Sequence, residues 1–316
     1  MATNVTNLNK NISVLSYNTT GWSEFKGNMI CNLLSDKDIQ ICALQEHMML
    51  APNFHKIKKH FSQYELFSLP AFKNNNQVHS GRPSCGLAFL YHNKLSKHIT
   101  RLTCPNSNRV QGLRLNLSNN SYVFINVYLP VDSRNNDIGE LIKVIQDIKY
   151  IIDESNDSKI ILLGDMNCDF SRDNNFVNFI KQFFLDNDLL SVWTKFTCDF
   201  TYSQTRMING SERTYFSVID HFSVSKDLLE NCIDASPILT QDNLSNHTPI
   251  FLSLNCDDHI ADSVADTNFE TTSSSRPIWK NATDFDLENY RINLTQNLNS
   301  IYVRSFRSSS LFRYSL

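Results

Sequence analysis

The sequence predicts an α/β fold, in which buried strands alternate with amphipathic helices. Residues Ile160–Leu163 are four consecutive aliphatic residues, a pattern typical of a strand covered on both faces. The preceding segment Asp137–Ile152 carries isoleucine and leucine at helical spacing, which predicts an amphipathic helix. Leu113, Leu115 and Leu117 alternate with polar residues, which predicts a strand with one apolar face.

Other segments follow the same rules along the chain. Apolar runs of strand length, separated by Asn, Ser, Gly and Pro, predict strands at Ile12–Asn18, Ile39–Leu44, Tyr64–Leu69, Gly86–Tyr91, Ile99–Leu102, Val110–Leu117, Tyr122–Leu129, Thr201–Ser203, Thr214–Val224, Cys232–Leu239 and Pro249–Leu254. Helical spacing predicts further helices at Trp22–Leu34, around Phe54–Phe61 and around Phe176–Phe184.

The domain organisation changes near Cys256. We expect one large domain over residues 1–256, because strand and helix patterns succeed one another throughout it. Residues 257–276 are acidic and then rich in Thr and Ser, which predicts a disordered linker. A partial helical segment follows over residues 277–316, with a helix at Asp284–Leu298 and a tail rich in Ser and Arg.

Composition limits the function classes. The chain has 316 residues, with 29 Lys plus Arg and 32 Asp plus Glu, and a formal net charge of −3. Any contact with phosphate must therefore come from a local patch or a bound cation, which favours an enzyme over a passive nucleic-acid-binding module. No Cys-x-x-Cys pair, signal peptide or membrane-spanning stretch is present, so we expect reduced thiols and a soluble protein of the nucleus or cytoplasm.

The turn after the central strand carries two polar side chains. Gly164 ends the aliphatic run, and Asp165 and Asn167 follow two positions apart. In an extended segment this spacing directs both side chains to the same side, at a junction that suits catalysis. The alternative is an ordinary turn, in which the Asx side chains bond their own backbone.

Other predicted strands also end in polar groups. Asn18 ends the first strand, Glu46 follows the second, Asp220 and His221 end the strand through Ser217-Val218-Ile219, and His247 precedes the last strand. Oxygen ligands suit Mg²⁺, and a histidine oriented by a carboxylate suits proton transfer near neutral pH. Taken singly, Glu46 could be a surface carboxylate and His247 a cap, but their number favours one shared site.

Four further side chains have open alternatives. Tyr202 either stacks on a nucleic-acid base or lies in the core, and Arg82 either contacts a phosphate or solvates a loop. His47 follows Glu46, and His221 follows Asp220. We expect both histidines to support the ligands or to be exposed rather than to bind a metal.

A family resemblance rests on six motifs that occur in the expected order over residues 12–256. They are Ser16-Tyr17-Asn18, Leu44-Gln45-Glu46, Asn126-Val127-Tyr128-Leu129-Pro130, Gly164-Asp165-Met166-Asn167, Ile219-Asp220-His221 and Ser245-Asn246-His247-Thr248-Pro249. With these motifs the sequence resembles the exonuclease–endonuclease–phosphatase superfamily, which includes deoxyribonuclease I. The resemblance implies two stacked mixed β-sheets flanked by helices, a four-layer α/β sandwich, with the site at the strand ends.

Within that superfamily the chain looks most like the endonuclease of a LINE-type non-LTR retrotransposon. The matching segments are Leu44-Gln45-Glu46-His47, Gly81-Arg82-Pro83, Phe200-Thr201-Tyr202-Ser203, Asn243-Leu244-Ser245 and Pro277-Ile278-Trp279-Lys280. The last of these resembles the segment that joins endonuclease to reverse transcriptase. The resemblance implies double-stranded DNA as substrate, a covalently linked reverse transcriptase in the parent element, and a monomer without a membrane.

The resemblance also implies roles for individual residues. Glu46 would bind Mg²⁺, with Mn²⁺ as an alternative ion, and Asn18 would lie close to it. Asp165 would align or deprotonate the attacking water, and Asn167 would hold the scissile phosphate. His247, oriented by Asp220, would bond a phosphate oxygen or act as the base, and Tyr128 would contact the phosphate or the leaving oxygen.

Asn246 departs from the family pattern, which has Asp before the histidine. The change removes a negative charge near the metal and is expected to weaken Mg²⁺ binding or to shift the pH optimum. The leading hypothesis is a Mg²⁺-dependent endonuclease that nicks one DNA strand. The alternatives are a phosphatase or phosphodiesterase acting on a small phosphorylated substrate, and a catalytically impaired remnant or nucleic-acid-binding module.

Overall fold

Two six-stranded sheets organise the part of the chain that a computed structural model describes, which is residues 11–72, 83–104, 107–132, 138–155 and 157–256. The strands are β1 (Asn11–Asn18), β2 (Ile41–Gln45), β3 (Tyr64–Leu69), β4 (Leu87–His92), β5 (Ile99–Thr103), β6 (Val110–Asn116), β7 (Ser121–Tyr128), β8 (Lys159–Asp165), β9 (Leu189–Ser191), β10 (Tyr202–Ile208), β11 (Ser211–Ser217), β12 (Asp220–Ser225), β13 (Cys232–Pro237) and β14 (Ile250–Asn255). The helices are α1 (Glu24–Asp36), the single turn α2 (His55–Lys58), α3 (Ile138–Asp153) and α4 (Asn175–Asp186). None of the described helices is long and apolar enough to cross a membrane.

Both sheets are mixed. The first sheet has the strand order β13-β14-β1-β2-β4-β3, and the second has the order β5-β6-β7-β8-β12-β9. The neighbours β1 and β2 are parallel, as are β7 and β8, while the other paired strands run antiparallel. The predicted pair of mixed sheets flanked by helices is confirmed.

The two sheets stack through apolar side chains on their facing sides. Val14 and Phe89 from the first sheet belong to the same buried cluster as Phe124 and Phe222 from the second. A second cluster packs α3 and α4 onto the outer face of the second sheet, and a third packs α1 onto the outer face of the first. The four layers explain why the central strand is aliphatic on both faces.

Gly164 allows β8 to pack closely against β7. Its φ is +134°, and a Cβ atom at this position would lie 2.1 Å from the carbonyl oxygen of Val127. Any other residue would therefore be strained and would also clash with the neighbouring strand. Because β8 stays paired through this position, Asp165 lies within the strand rather than in the loop after it.

Two predicted strands differ from the structure. The segment Thr214–Val224 is divided into β11 and β12, and β11 pairs with β10 in a separate two-stranded ribbon instead of joining a sheet. The predicted strand Thr201–Ser203 extends to Ile208 within this ribbon. The ribbon is largely exposed, so its strands carry no buried apolar alternation by which to recognise them. The predicted linker and terminal segment, residues 257–316, lie outside the described residues.

Candidate active site

Asp165, Asp220 and His247 meet at one end of the stacked sheets. Antiparallel pairing of β8 with β12 places Asp165 directly opposite Asp220, and the segment before β14 brings His247 from the first sheet. The Nδ1 atom of His247 lies 2.9 Å from Oδ2 of Asp220, and its Nε2 atom lies 3.8 Å from Oδ2 of Asp165. All three side chains are buried. The sandwich therefore joins an acid pair from one sheet to an imidazole from the other.

The charges in this cluster control its protonation. Burial opposes the charge on His247, but the carboxylates of Asp220 and Asp165 outweigh it and raise the pKa of His247 to about 9. Burial also raises the pKa of Asp165, although the positive charge of His247 opposes the change. At neutral pH the imidazole thus keeps its proton and can donate a hydrogen bond from Nε2 toward an anion.

Asp165 is held by hydrogen bonds to both of its carboxylate oxygens. Its Oδ1 accepts from the backbone N–H of Asn167 at 2.8 Å, and its Oδ2 accepts from Nδ2 of Asn18 at 2.8 Å. The predicted extended path from Asp165 to Asn167 is wrong, because Asn167 is left-handed with φ of 49°. The turn alternative applies, and one carboxylate oxygen bonds the turn while the other faces Asn18 and His247.

Asn167 and Asn18 position this turn through their amides. Nδ2 of Asn167 donates to the carbonyl oxygen of Leu129 at 2.7 Å, which ties the turn to the end of β7. The Oδ1 atom of Asn18 accepts from the backbone N–H of Thr20 at 2.9 Å. Asn18 is fully buried, so it contacts the cluster through Asp165.

Glu46 and Tyr128 form the neighbouring part of the site. Glu46 follows β2 in the left-handed conformation, with φ of 50°, and its side chain is half-buried. The Tyr128 side chain lies near the Glu46 carboxylate, and burial together with this negative charge raises the pKa of Tyr128. The charge of Glu46 also acts on His247. Glu46 therefore belongs to the same electrostatic cluster as the acid pair.

The donor chemistry of the site fits a hard divalent cation. Asp165, Asp220 and His247 have ligand atoms within 4.8 Å of one another, and Nδ1 of His247 is directed to Asp220. Glu46 offers a half-buried carboxylate beside this triad, and carboxylate oxygens are the ligands that Mg²⁺ prefers.

Two predicted contact residues lie at the rim of the site. Asn246 is exposed next to His247, and its carbonyl oxygen accepts from the backbone N–H of Ser203 at 2.9 Å. The half-buried ring of Tyr202, at the start of β10, packs edge-on against His247 with ring centroids 4.9 Å apart. Arg82 lies outside the described residues.

The histidines next to the motif acids are buried, and the exposed alternative is wrong for both. Burial lowers the pKa of His47 to about 4, and its Nε2 atom lies 3.0–3.2 Å from Ser68 and two backbone carbonyl oxygens. His221 is also buried, and its Nε2 donates to the carbonyl oxygen of Cys168 at 3.0 Å. Both rings hold the loops that carry the acids.

Sequence reasoning assigned no role to the residues that hold the His247 segment. Oη of Tyr17 donates to Oδ1 of Asn243 at 2.8 Å, and Nδ2 of Asn243 donates to the carbonyl oxygen of His247 at 2.7 Å. Oγ of Ser245 donates to the carbonyl oxygen of Asn18 at 2.8 Å. The Asn243-Leu244-Ser245 motif was the available signal, but its contacts join residues more than 200 positions apart.

Comparison with known proteins shows similarity at the level of the fold. No protein-family model and no curated protein sequence matches the chain. Among solved structures, the AP endonuclease LMAP from Leishmania major is similar with a TM-score of 0.62 and 12% identity, over 78% of this chain and 88% of that chain. An AP endonuclease from Archaeoglobus fulgidus has a TM-score of 0.58 and 14% identity, over 77% and 99% of the two chains.

A retrotransposon enzyme is also among the similar structures. The endonuclease domain of TRAS1, a telomere-specific non-LTR retrotransposon, has a TM-score of 0.55 and 12% identity, over 78% of this chain and all of that domain. At such low identities these similarities establish the two-sheet fold of the deoxyribonuclease I type. The chemistry must be argued from the site of this chain.

Proposed function

We propose that the chain is a Mg²⁺-dependent phosphodiesterase that nicks one strand of double-stranded DNA. The observation that carries the proposal is the cluster of Asp165, Asp220 and His247, with Glu46 and Tyr128 beside it. A buried acid pair with an oriented imidazole supplies proton transfer, and the neighbouring carboxylate supplies a cation ligand.

Glu46 would hold the cation, with Asn246 at the adjacent rim. When bound, Mg²⁺ or Mn²⁺ supplies positive charge that stabilises the phosphate and the departing 3′ oxygen. Asn246 has a neutral amide where a carboxylate would strengthen this site. Tyr128 lies near the Glu46 carboxylate, and its hydroxyl would contact the phosphate or the leaving oxygen.

The acid pair and the imidazole would divide the proton-transfer steps. Asp165, held by Asn18, is the group that we assign to accept the proton of the attacking water, because burial raises its pKa toward neutrality. His247 keeps its proton through Asp220 and would donate a hydrogen bond from Nε2 to a phosphate oxygen, while the departing 3′ oxygen would take a proton from solvent water. Asn167 would help to hold the same phosphate.

A duplex substrate is supported by the ribbon of β10 and β11 beside the site. Tyr202 begins this ribbon and contacts His247, and Tyr215 and Phe216 are exposed on its other strand. A two-stranded ribbon has dimensions that fit a DNA groove, whereas a small phosphorylated substrate would need no such projection. The similar solved structures named above are two AP endonucleases and a retrotransposon endonuclease domain, which also supports a nucleic-acid substrate.

The biological setting follows from the resemblance to LINE-type elements. In such an element, the nick would leave a 3′ hydroxyl that primes a covalently linked reverse transcriptase. The TRAS1 domain supports this setting, since it shares the fold over its full length. We further propose that the chain acts as a monomer on nuclear DNA.

A plasmid assay tests the proposal directly. Purified protein with supercoiled plasmid and Mg²⁺ is expected to produce relaxed circles whose nicks are extended by a DNA polymerase. EDTA and the Glu46→Ala substitution are expected to abolish nicking, whereas Glu65→Ala, an acid on β3, is expected to have no effect. Absence of nicking with both Mg²⁺ and Mn²⁺ would contradict the proposal, and phosphate release from small esters under these conditions would favour the small-substrate alternative.

A further inference from the structure

The facing sides of the two sheets change from apolar to polar toward the active-site end. Four buried polar side chains lie there between the sheets: Ser16 on β1, Gln45 on β2, Asn126 on β7 and Gln111 on β6. Three of them are amides, which we call the amide layer (Gln45, Asn126 and Gln111). All three amide residues have no exposed surface. Neither the proposed chemistry nor the sequence motifs assign a role to this layer.

Asn126 joins the two sheets through its amide. Its Nδ2 donates to the carbonyl oxygens of Leu44 on β2 and Ala88 on β4, at 3.1 and 3.2 Å. Its Oδ1 accepts from Nε2 of Gln45 at 2.8 Å. Two carbonyl oxygens face Nδ2, so this side of the Asn126 amide must be the donor and Oδ1 must be the acceptor. Gln45 must therefore direct the N–H of its own amide to Oδ1.

Gln45 is held in this arrangement at a cost in stability. Its Nε2 also donates to Oγ of Ser16 at 3.1 Å, but its Oε1 is buried and has no hydrogen-bond partner among the described residues. A buried acceptor without a partner is destabilising, and apolar side chains of the same shape at both positions 45 and 126 would avoid this loss. Stability alone therefore does not explain an amide at position 45.

The amide pair lies directly beneath the proposed cation ligand. Gln45 is the last residue of β2, and Glu46 leaves the strand in the left-handed conformation. Asn126 and Tyr128 are two positions apart on β7, so both face the first sheet, and the charge of Glu46 acts on Tyr128. The strand end that carries Glu46 is thus held by β7 through the bonds of Asn126 to Gln45 and to the Leu44 carbonyl oxygen.

We propose that Gln45 and Asn126 are positioning residues, which hold the end of β2 against β7 so that the Glu46 carboxylate is placed to bind a divalent cation. This inference rests on the proposed role of Glu46. Removal of either amide would leave Glu46 in place but free to move relative to the second sheet, where Asp165 and Tyr128 lie.

The experiment measures Mn²⁺ binding to the full chain by calorimetry and by electron paramagnetic resonance. Gln45→Met and Asn126→Leu are expected to weaken binding by about tenfold or more, as is typical when the support of a metal ligand is removed. The Mn²⁺ affinity of the double variant is expected to fall by about as much as that of the more affected single variant, because the two residues act as a unit. If Asn126→Leu fails to fold, Asn126→Ser replaces it, with folding checked by thermal unfolding.

Gln111→Met is the matched control. Gln111 also joins the sheets, since its Nε2 donates to the carbonyl oxygen of Phe67 at 3.0 Å, and its Oε1 is likewise buried without a partner among the described residues. Its contact is on β3, an edge strand away from Glu46, so Mn²⁺ affinity is expected to stay within about twofold of wild type, although Gln111 lies opposite Asn126 in the pairing of β6 with β7.

The outcomes separate the inference from the proposed function. If Glu46→Gln abolishes Mn²⁺ binding while Gln45→Met and Asn126→Leu bind as wild type does, the inference is wrong and the proposed function stands. Equal loss in Gln111→Met would also overturn it, because the effect would then be general packing between the sheets. If wild-type protein binds no Mn²⁺, both the inference and the proposed function fail.

Discussion

Nδ1 of His247 faces both carboxylate oxygens of Asp220, at 2.9 and 3.2 Å. Asp220 begins β12 in the second sheet, and His247 comes from the segment before β14 in the first. The contact therefore connects the two sheets and leaves Nε2 of the ring directed toward Asp165. The electrostatic properties of the site depend on this pair.

The first prediction concerns the pKa of His247. Asp220→Asn removes the largest favourable charge on the imidazole, so its pKa is expected to fall from about 9 toward or below the usual value for histidine, which is about 6.5. A histidine NMR titration measures the change. Asp242→Asn, an exposed acid in the loop before His247, is the control, and an unchanged His247 pKa in Asp220→Asn would contradict the assignment.

The same shift predicts how stability depends on pH. Because folding raises the pKa of His247, its contribution is fully present below the unfolded value of about 6.5 and is lost as the pH rises through about 9. The stability difference between wild type and Asp220→Asn is therefore expected to be larger at pH 6 than at pH 10. Denaturant unfolding at the two pH values measures it, and a difference that grows with pH would refute this reasoning.

A second prediction concerns Asn246. Asn246→Asp places a carboxylate at the exposed rim beside His247, where it would add a negative charge near the proposed cation. The Mg²⁺ concentration for half-maximal nicking is expected to fall by about tenfold, which corresponds to roughly 1.4 kcal/mol of added attraction. Asn246→Ala is the control, and it is expected not to lower the Mg²⁺ requirement because it adds no charge. A Mg²⁺ requirement that is unaltered by the new carboxylate would remove Asn246 from the metal site.

Gly164 provides a third prediction, with a matched control in the same fold. Gly164→Ala puts a Cβ atom 2.1 Å from the Val127 carbonyl oxygen at a left-handed position, and it is expected to destabilise the protein by about 3 kcal/mol or more. Gly210 also has a positive φ, of +78°, but no atom lies within 4 Å of its added Cβ. Gly210→Ala is expected to cost only about 1 kcal/mol. Thermal unfolding compares them, and equal losses would show that close packing against β7 is unimportant.

The fourth prediction tests whether Tyr202 contacts DNA. The Tyr202 ring packs against His247, and the residue is only half-buried, so it could contact a base or sugar. In a cleavage-deficient Asp165→Asn background, Tyr202→Ala is expected to weaken duplex binding by about 1–3 kcal/mol, the usual range for a stacking aromatic. Tyr202→Phe retains the ring and is expected to bind as the parent does. Fluorescence anisotropy measures the duplex affinity of both variants. If Tyr202→Ala binds duplex DNA as tightly as the parent, the ring has only a packing role.

Most strands could be predicted because burial leaves a pattern in the chain. The strands that lie inside the sandwich, such as β7 and β8, carry apolar runs whose length and boundaries are readable. The division of Thr214–Val224 into β11 and β12 was not readable, because β11 is exposed and its pairing with β10 is decided by contacts outside the core. An exposed ribbon has no pattern of buried apolar residues from which its strands can be predicted.

The sequence by itself determined the class of the fold and the identity of the polar side chains at the strand ends, since both follow from local periodicity and residue chemistry. Only the tertiary structure decided that Asp165 accepts a hydrogen bond from the turn that follows it and also belongs to the buried cluster. It also decided that Asp220 faces His247 across the sheets. It also decided that Gln45 and Asn126 meet beneath Glu46. These contacts join residues distant in the chain, and their geometry is set by strand order and register, which local sequence does not encode.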